Sequence, residues 1–105
     1  MNHDAYRLHQ LFEAITPPET GKQSRVLWED ARIKGVLFAF AAGAGLAEHV
    51  APCPVVIQIL GGEATLTVRG ETLAGKPGTW LHLEPRTPHG LQALTPLVML
   101  LTLLK

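Results

Sequence analysis

The chain has 105 residues, with nine basic and nine acidic side chains and a formal net charge of zero. That length fits one domain, and 47% hydrophobic against 17% charged residues is the composition of a folded chain. With no cluster of Lys or Arg, nucleic acid and anionic lipid are poor partners.

Residues 5 to 15 (AYRLHQLFEAI) place Leu8, Leu11, Phe12 and Ile15 at helical spacing, which predicts a short helix ended by Thr16-Pro17-Pro18. Residues 1–22 read as an N-terminal arm and loop that packs on the body of the protein or on a partner, and residues 23–105 as a β domain. Ser24 to Glu29 reads as a strand, Asp30-Ala31 as a turn, and Ile33 to Ala41 as a strong strand stopped by Gly43-Ala44-Gly45. Val55 to Leu60 is apolar and β-branched, and ends at Gly61-Gly62. Ala64, Leu66 and Val68 alternate with Thr65, Thr67 and Arg69, the period of a strand with one buried face. Arg69-Gly70-Glu71 makes a hairpin turn, and Gly75, Pro77 and Gly78 another. Thr79 to Leu83, Leu91 to Leu94 and Leu97 to Leu104 complete the strands. Short strands with such frequent turns indicate an all-β sandwich or barrel.

The single cysteine, Cys53, leaves no intrachain disulfide framework and suits a reducing compartment. The opening MNHDAYRLHQ is polar and lacks the apolar run of a secretory signal. Leu97 to Leu104 is the longest apolar stretch, far short of the roughly 20 residues of a membrane helix. A cytoplasmic protein with no membrane partner is the expectation. The final strand lacks clear alternation, so burial on both faces is expected, and a homodimer is one way to achieve it.

Three features occur in a telling order. Gly43 is followed after five residues by His49 (GAGLAEH). A strand then ends in Leu60-Gly61-Gly62-Glu63. Last comes Gly78-Thr79-Trp80-Leu81-His82-Leu83-Glu84, leading into Pro85-Arg86-Thr87-Pro88-His89-Gly90. Over about residues 35 to 103 the chain resembles the small single-domain cupins, whose first motif carries a Gly, five residues, His-x-His and then a Glu, His or Gln. Their second motif runs from a Gly to near Pro-His. The resemblance implies a double-stranded β-helix, or jelly-roll barrel, with the ligand site inside its mouth.

Against that pattern the chain is incomplete. His49 matches the first ligand position and His89 the last, but Ala51 stands at the second His and Val55 at the third donor. The resemblance therefore implies a two-histidine remnant of a four-ligand metal site. A divalent ion such as Mn, Fe, Ni or Zn would be held weakly, because a tight site needs three or four protein donors.

Gln58, His82 and Trp80 are the further candidate ligand residues. Gln58 has the opposite strand parity to Val55, so without a bulge it faces away from the ligand wall. His82 lies on a strand that lines cupin barrels, with either facing open, and it reads more readily as a barrel or interface residue than as a ligand. Trp80 and Trp28 could stack on a ligand, although such side chains more often pack in a core or interface. His3 and His9 read as exposed arm residues. Cys53 reads as an inert thiol, since a nucleophile needs an adjacent base. The expected function is small-molecule binding at His49 and His89, with or without a weakly held metal. The alternatives are a metal-free ligand-binding or sensor module without turnover, and a structural protein with a vestigial site. Fold alone does not choose a reaction.

Overall fold

The computed structural model describes residues 5–105. A one-turn helix, α1 (Leu11–Ala14), precedes the strands β1 (Lys22–Glu29), β2 (Ile33–Phe40), β3 (Gly45–His49), β4 (Val55–Gly61), β5 (Ala64–Val68), β6 (Glu71–Gly75), β7 (Trp80–Leu83), β8 (His89–Ala93) and β9 (Leu97–Leu104). They form a five-stranded sheet ordered β1-β2-β9-β4-β7 and a four-stranded sheet ordered β3-β8-β5-β6. Every pairing is antiparallel. The all-β jelly-roll expectation is met.

Period-two alternation decides what lies between the sheets. Val55, Ile57 and Ile59 of β4, Leu97 and Met99 of β9 and Phe40 of β2 pack inward from the larger sheet. Ala64 and Leu66 of β5 and Leu91 and Ala93 of β8 meet them from the smaller one. These side chains form the hydrophobic core between the sheets.

The outer face of the larger sheet carries a second cluster. Leu37, Ala39 and Val98 are covered by Ile15, Leu11 and Ala14 of the arm. Arg25 ties the arm to β1 by donating from Nη1 to the Ala14 carbonyl at 3.1 Å. Strand β9 lies at the centre of the five strands, so part of its two-faced burial is intramolecular. The predicted helix shrinks to α1. Four residues cannot sustain the predicted face, Gln10 gives no side-chain cap, and Ile15 is already extended ahead of Thr16-Pro17. Leu8 and Phe12 are 66% and 64% exposed, instead of packing with Leu11 and Ile15. His9 is half-buried where exposure was expected, and His3 lies outside the described residues.

Upstream, Arg7 places its guanidinium 3.3 Å from the centre of the Trp28 ring, a cation–π contact. Trp28 Nε1 donates to Asp30 Oδ2 at 3.0 Å, while Asp30 Oδ1 accepts from the Arg32 and Ile33 amides. These donors, the Ile33 and Arg32 amides first and then Trp28, hold the Asp30 carboxyl down at about 2. No helix is long and apolar enough to cross a membrane among the described residues.

Candidate functional site

β3 runs antiparallel to β8, so the end of one strand meets the start of the other and His49 pairs with His89. The two residues are far apart in sequence and adjacent only through this pairing. Their rings lie 4.4 Å apart, centre to centre, tilted by 53°. His89 shares the inward parity of Leu91 and Ala93 and is only 4% exposed, whereas His49 is exposed. His49 closes β3.

A bulge aims His49 at its partner. Leu46 pairs with Leu91 and His49 with His89, so Ala47 and Glu48 together face Gly90 alone. In a regular strand, residues three apart point to opposite faces. The extra residue restores the facing, so both Leu46 and His49 turn toward the interior side. Gly90 makes room for this: a Cβ there would lie 2.9 Å from the Leu46 carbonyl oxygen and 3.2 Å from the Glu48 nitrogen.

Each imidazole is anchored in the same way. His49 Nδ1 lies 2.9 Å from the Ala47 carbonyl oxygen, and His89 Nδ1 lies 2.7 Å from that of Thr87. A carbonyl oxygen only accepts, so both Nδ1 atoms carry the proton and donate. In the neutral rings both Nε2 atoms then present lone pairs. The loop before His89 is itself pinned. Thr87 Oγ1 donates to the Glu84 carbonyl at 2.8 Å, and the Arg86 amide donates to the Ala51 carbonyl at 2.8 Å. Arg86 adopts a left-handed conformation with φ of 62°, a strain that non-glycine residues carry when surrounding structure enforces it.

The fit to a tightly held metal fails on the donor set. Val55, at the third donor position, is 2% exposed and packed in the interior cluster, and the Ala51 side chain packs against that cluster. No group of three His, Cys, Asp or Glu stands together among the described residues. Two imidazole nitrogens fall short of the three or four donors such a site requires.

Gln58, His82 and Trp80 lie elsewhere. Strand β7 pairs with β4 so that Trp80 faces Gln58 and His82 faces Val56, while Val55 and Ile57 carry the inward parity. All three therefore belong to the outer face of the larger sheet, with Trp80 and His82 rings 6.2 Å apart. The structure does not bring them to the histidine pair. The parity argument for Gln58 holds because β4 is regular from Val55 to Ile59. Cys53 is a free, half-buried thiol.

Sequence reading missed Gly90 and Thr87. A glycine inside a strand marks close backbone approach, and that signal was present at Gly90. The role of Thr87 is carried partly by its carbonyl, which leaves no trace in the residue type.

The two-sheet topology and its likeness to solved structures give a small cupin domain, a cupin double-stranded β-helix. The chain is similar to a cupin superfamily protein from Desulfitobacterium hafniense, with a TM-score of 0.86 and 26% identity over 93% of this chain and 90% of that one. It is similar as well to an RmlC-like cupin from Desulfovibrio desulfuricans, with a TM-score of 0.86 and 27% identity over 94% and 96% of the two chains. A conserved protein of unknown function from Streptococcus pyogenes matches in fold with a TM-score of 0.87 and 24% identity over 100% and 90%. No protein-family model and no curated protein matches the sequence.

Proposed function

We propose that this cupin binds a small molecule at the Nε2 atoms of His49 and His89. The observation that supports the reading is the pair itself: two imidazoles from distant strands, adjacent, each with Nδ1 committed to a backbone carbonyl. The nearby Ala51 is apolar and only half-buried, which suits a ligand oriented by few polar groups. The reading favours binding or sensing over turnover.

A divalent cation (Mn, Fe, Ni or Zn) would meet two protein nitrogens here, so its hold would be weak, and no catalytic step is derived through it. Equilibrium dialysis of tag-free protein against each cation tests this, beside His49→Ala and His89→Ala. Weak binding that drops in both variants is expected. Binding unchanged in both places the cation elsewhere and overturns the assignment.

The same proposal includes a cytoplasmic location, consistent with the lone free thiol Cys53. It also includes a homodimer through the outer face of the larger sheet. Strands β4, β7 and β9 contain no Asp, Glu, Lys or Arg, and Trp80 is 62% exposed on that face. A face whose strands carry no Asp, Glu, Lys or Arg meets its own copy without burying a carboxylate, ammonium or guanidinium.

A further inference from the structure

The two histidines also constrain what kind of ligand can bind, and this inference rests on the binding-pair reading above. Both Nδ1–H groups are spent on carbonyl oxygens two residues back in the chain, at 2.9 Å for His49 and 2.7 Å for His89. The two anchors are independent, because one acceptor belongs to the β3 bulge and the other to the loop before β8. Each fixes one tautomer, since the alternative would set a ring lone pair against a carbonyl oxygen.

The functional edges of the pair are therefore alike. Each neutral ring offers an acceptor, and neither offers a donor. The ion pairs among the described residues gather on Glu29, with Lys34 and Lys105, and involve neither histidine. A bound molecule must supply the hydrogens that these acceptors need. A carboxylate or phosphate would bring its own lone pairs against theirs, whereas a group with two adjacent N–H or O–H bonds would satisfy both.

We propose that the His49–His89 site takes ligands presenting two adjacent hydrogen-bond donors, an amidinium or a vicinal diol, and discriminates against carboxylates. One imidazole nitrogen then accepts from each donor. The two acceptors belong to adjacent imidazoles whose ring centres are 4.4 Å apart.

Long-range proton–nitrogen correlation NMR tests this on the whole chain, whose 11.4 kDa mass suits the method. The protein is treated with chelator and held at about pH 8, above the usual range of imidazole protonation. His49→Gln and His89→Gln assign the two rings by loss of their signals. Both rings are expected to show the Nδ1–H pattern. Benzamidine and catechol, one an amidinium and the other a vicinal diol, are then titrated beside benzoate, an acceptor of similar size. At least one donor probe is expected to move both Nε2 resonances, and benzoate to move them far less. The probe that acts separates the amidinium source from the diol.

An Nε2–H pattern in either ring overturns the proposal. Benzoate moving the Nε2 resonances as much as the donors do overturns the ligand class while keeping the pair as the binding site. Donor probes that leave both Nε2 resonances unmoved but perturb other residues overturn the binding-pair reading itself. No response anywhere to either donor probe, at concentrations up to their solubility, overturns the ligand class.

Discussion

His49 and His89 belong to one pair but differ in what their loss costs. His89 is nearly buried and gives Thr87 its hydrogen-bond partner, so His89→Ala leaves a void and an unpaired carbonyl. A destabilisation of about 1–3 kcal/mol is expected. That corresponds to a melting temperature lower by roughly 4–8 °C per kcal/mol in a domain of this size. His49 is exposed, and His49→Ala should change stability by no more than about 0.5 kcal/mol. Thermal denaturation of the two variants checks the asymmetry, and equal losses would contradict the burial assigned to His89.

Ala51→His probes the missing donor. Ala51 lies two residues beyond His49, its side chain packs on the interior cluster and its carbonyl is tied to the Arg86 amide; it stands where the resemblance puts the second histidine. Zn or Ni affinity is expected to rise by more than about tenfold, or roughly 1.4 kcal/mol. No rise would mean that position 51 does not look toward the histidines. The Asp30 carboxyl sets a different dependence. Its pKa falls from 3.8 to about 2 on folding, so it stabilises the fold above pH 3.8, and that stabilisation is lost as pH falls toward 2. Asp30→Asn should flatten the acid limb of a melting-temperature profile between those values. An unchanged limb would assign acid unfolding to other carboxylates.

The strand elements were legible wherever alternation or β-branching was strong. β9 matches its predicted limits of Leu97 and Leu104, and β2 and β4 lie within a residue of theirs. β6 was missed because ETLAG shows no alternation of its own. It forms by pairing with β5 across the turn at Arg69 and Gly70, where both residues have positive φ, at 50° and 81°. The helical spacing of Leu8, Leu11, Phe12 and Ile15 yields only one turn, because a short helix is costly to nucleate and packing on Leu37, Ala39 and Val98 favours a mostly extended arm. The bulge that aims His49 was invisible, since it depends on how β3 aligns with β8 rather than on either strand alone. Gly90→Ala tests that element. Its Cβ would press on the Leu46 carbonyl and the Glu48 amide, pushing β3 away from β8. Ligand or metal binding is expected to fall several-fold while circular dichroism stays β-rich. Full binding would show that the bulge is not needed to position His49.

At the scale of the molecule, the fold followed from turn spacing and the glycine-bracketed motifs, and the neighbours of known structure agree with it. The membership of the core was less legible, because motif matching locates the ligand wall without specifying the side chains packed behind it. Phe40, Ile57, Ile59, Leu66 and Met99 pack between the two sheets. The candidate site is the histidine pair at the strand ends. The outer face bears on assembly: Trp80→Glu would place a charge in a face that has none on β4, β7 or β9. Sedimentation velocity should give a dimer for the native chain and a monomer for the variant. A native monomer would remove the proposed interface.

The most direct test of the histidine pair as a binding site is a thermal-shift screen of small molecules, run in parallel on the native chain and on His49→Ala. A compound that binds only the folded state raises its melting temperature by mass action. Because His49 is exposed, the variant should remain folded and comparable. Compounds that stabilise the native chain should stabilise His49→Ala far less. Shifts of equal size in both proteins would contradict the assignment.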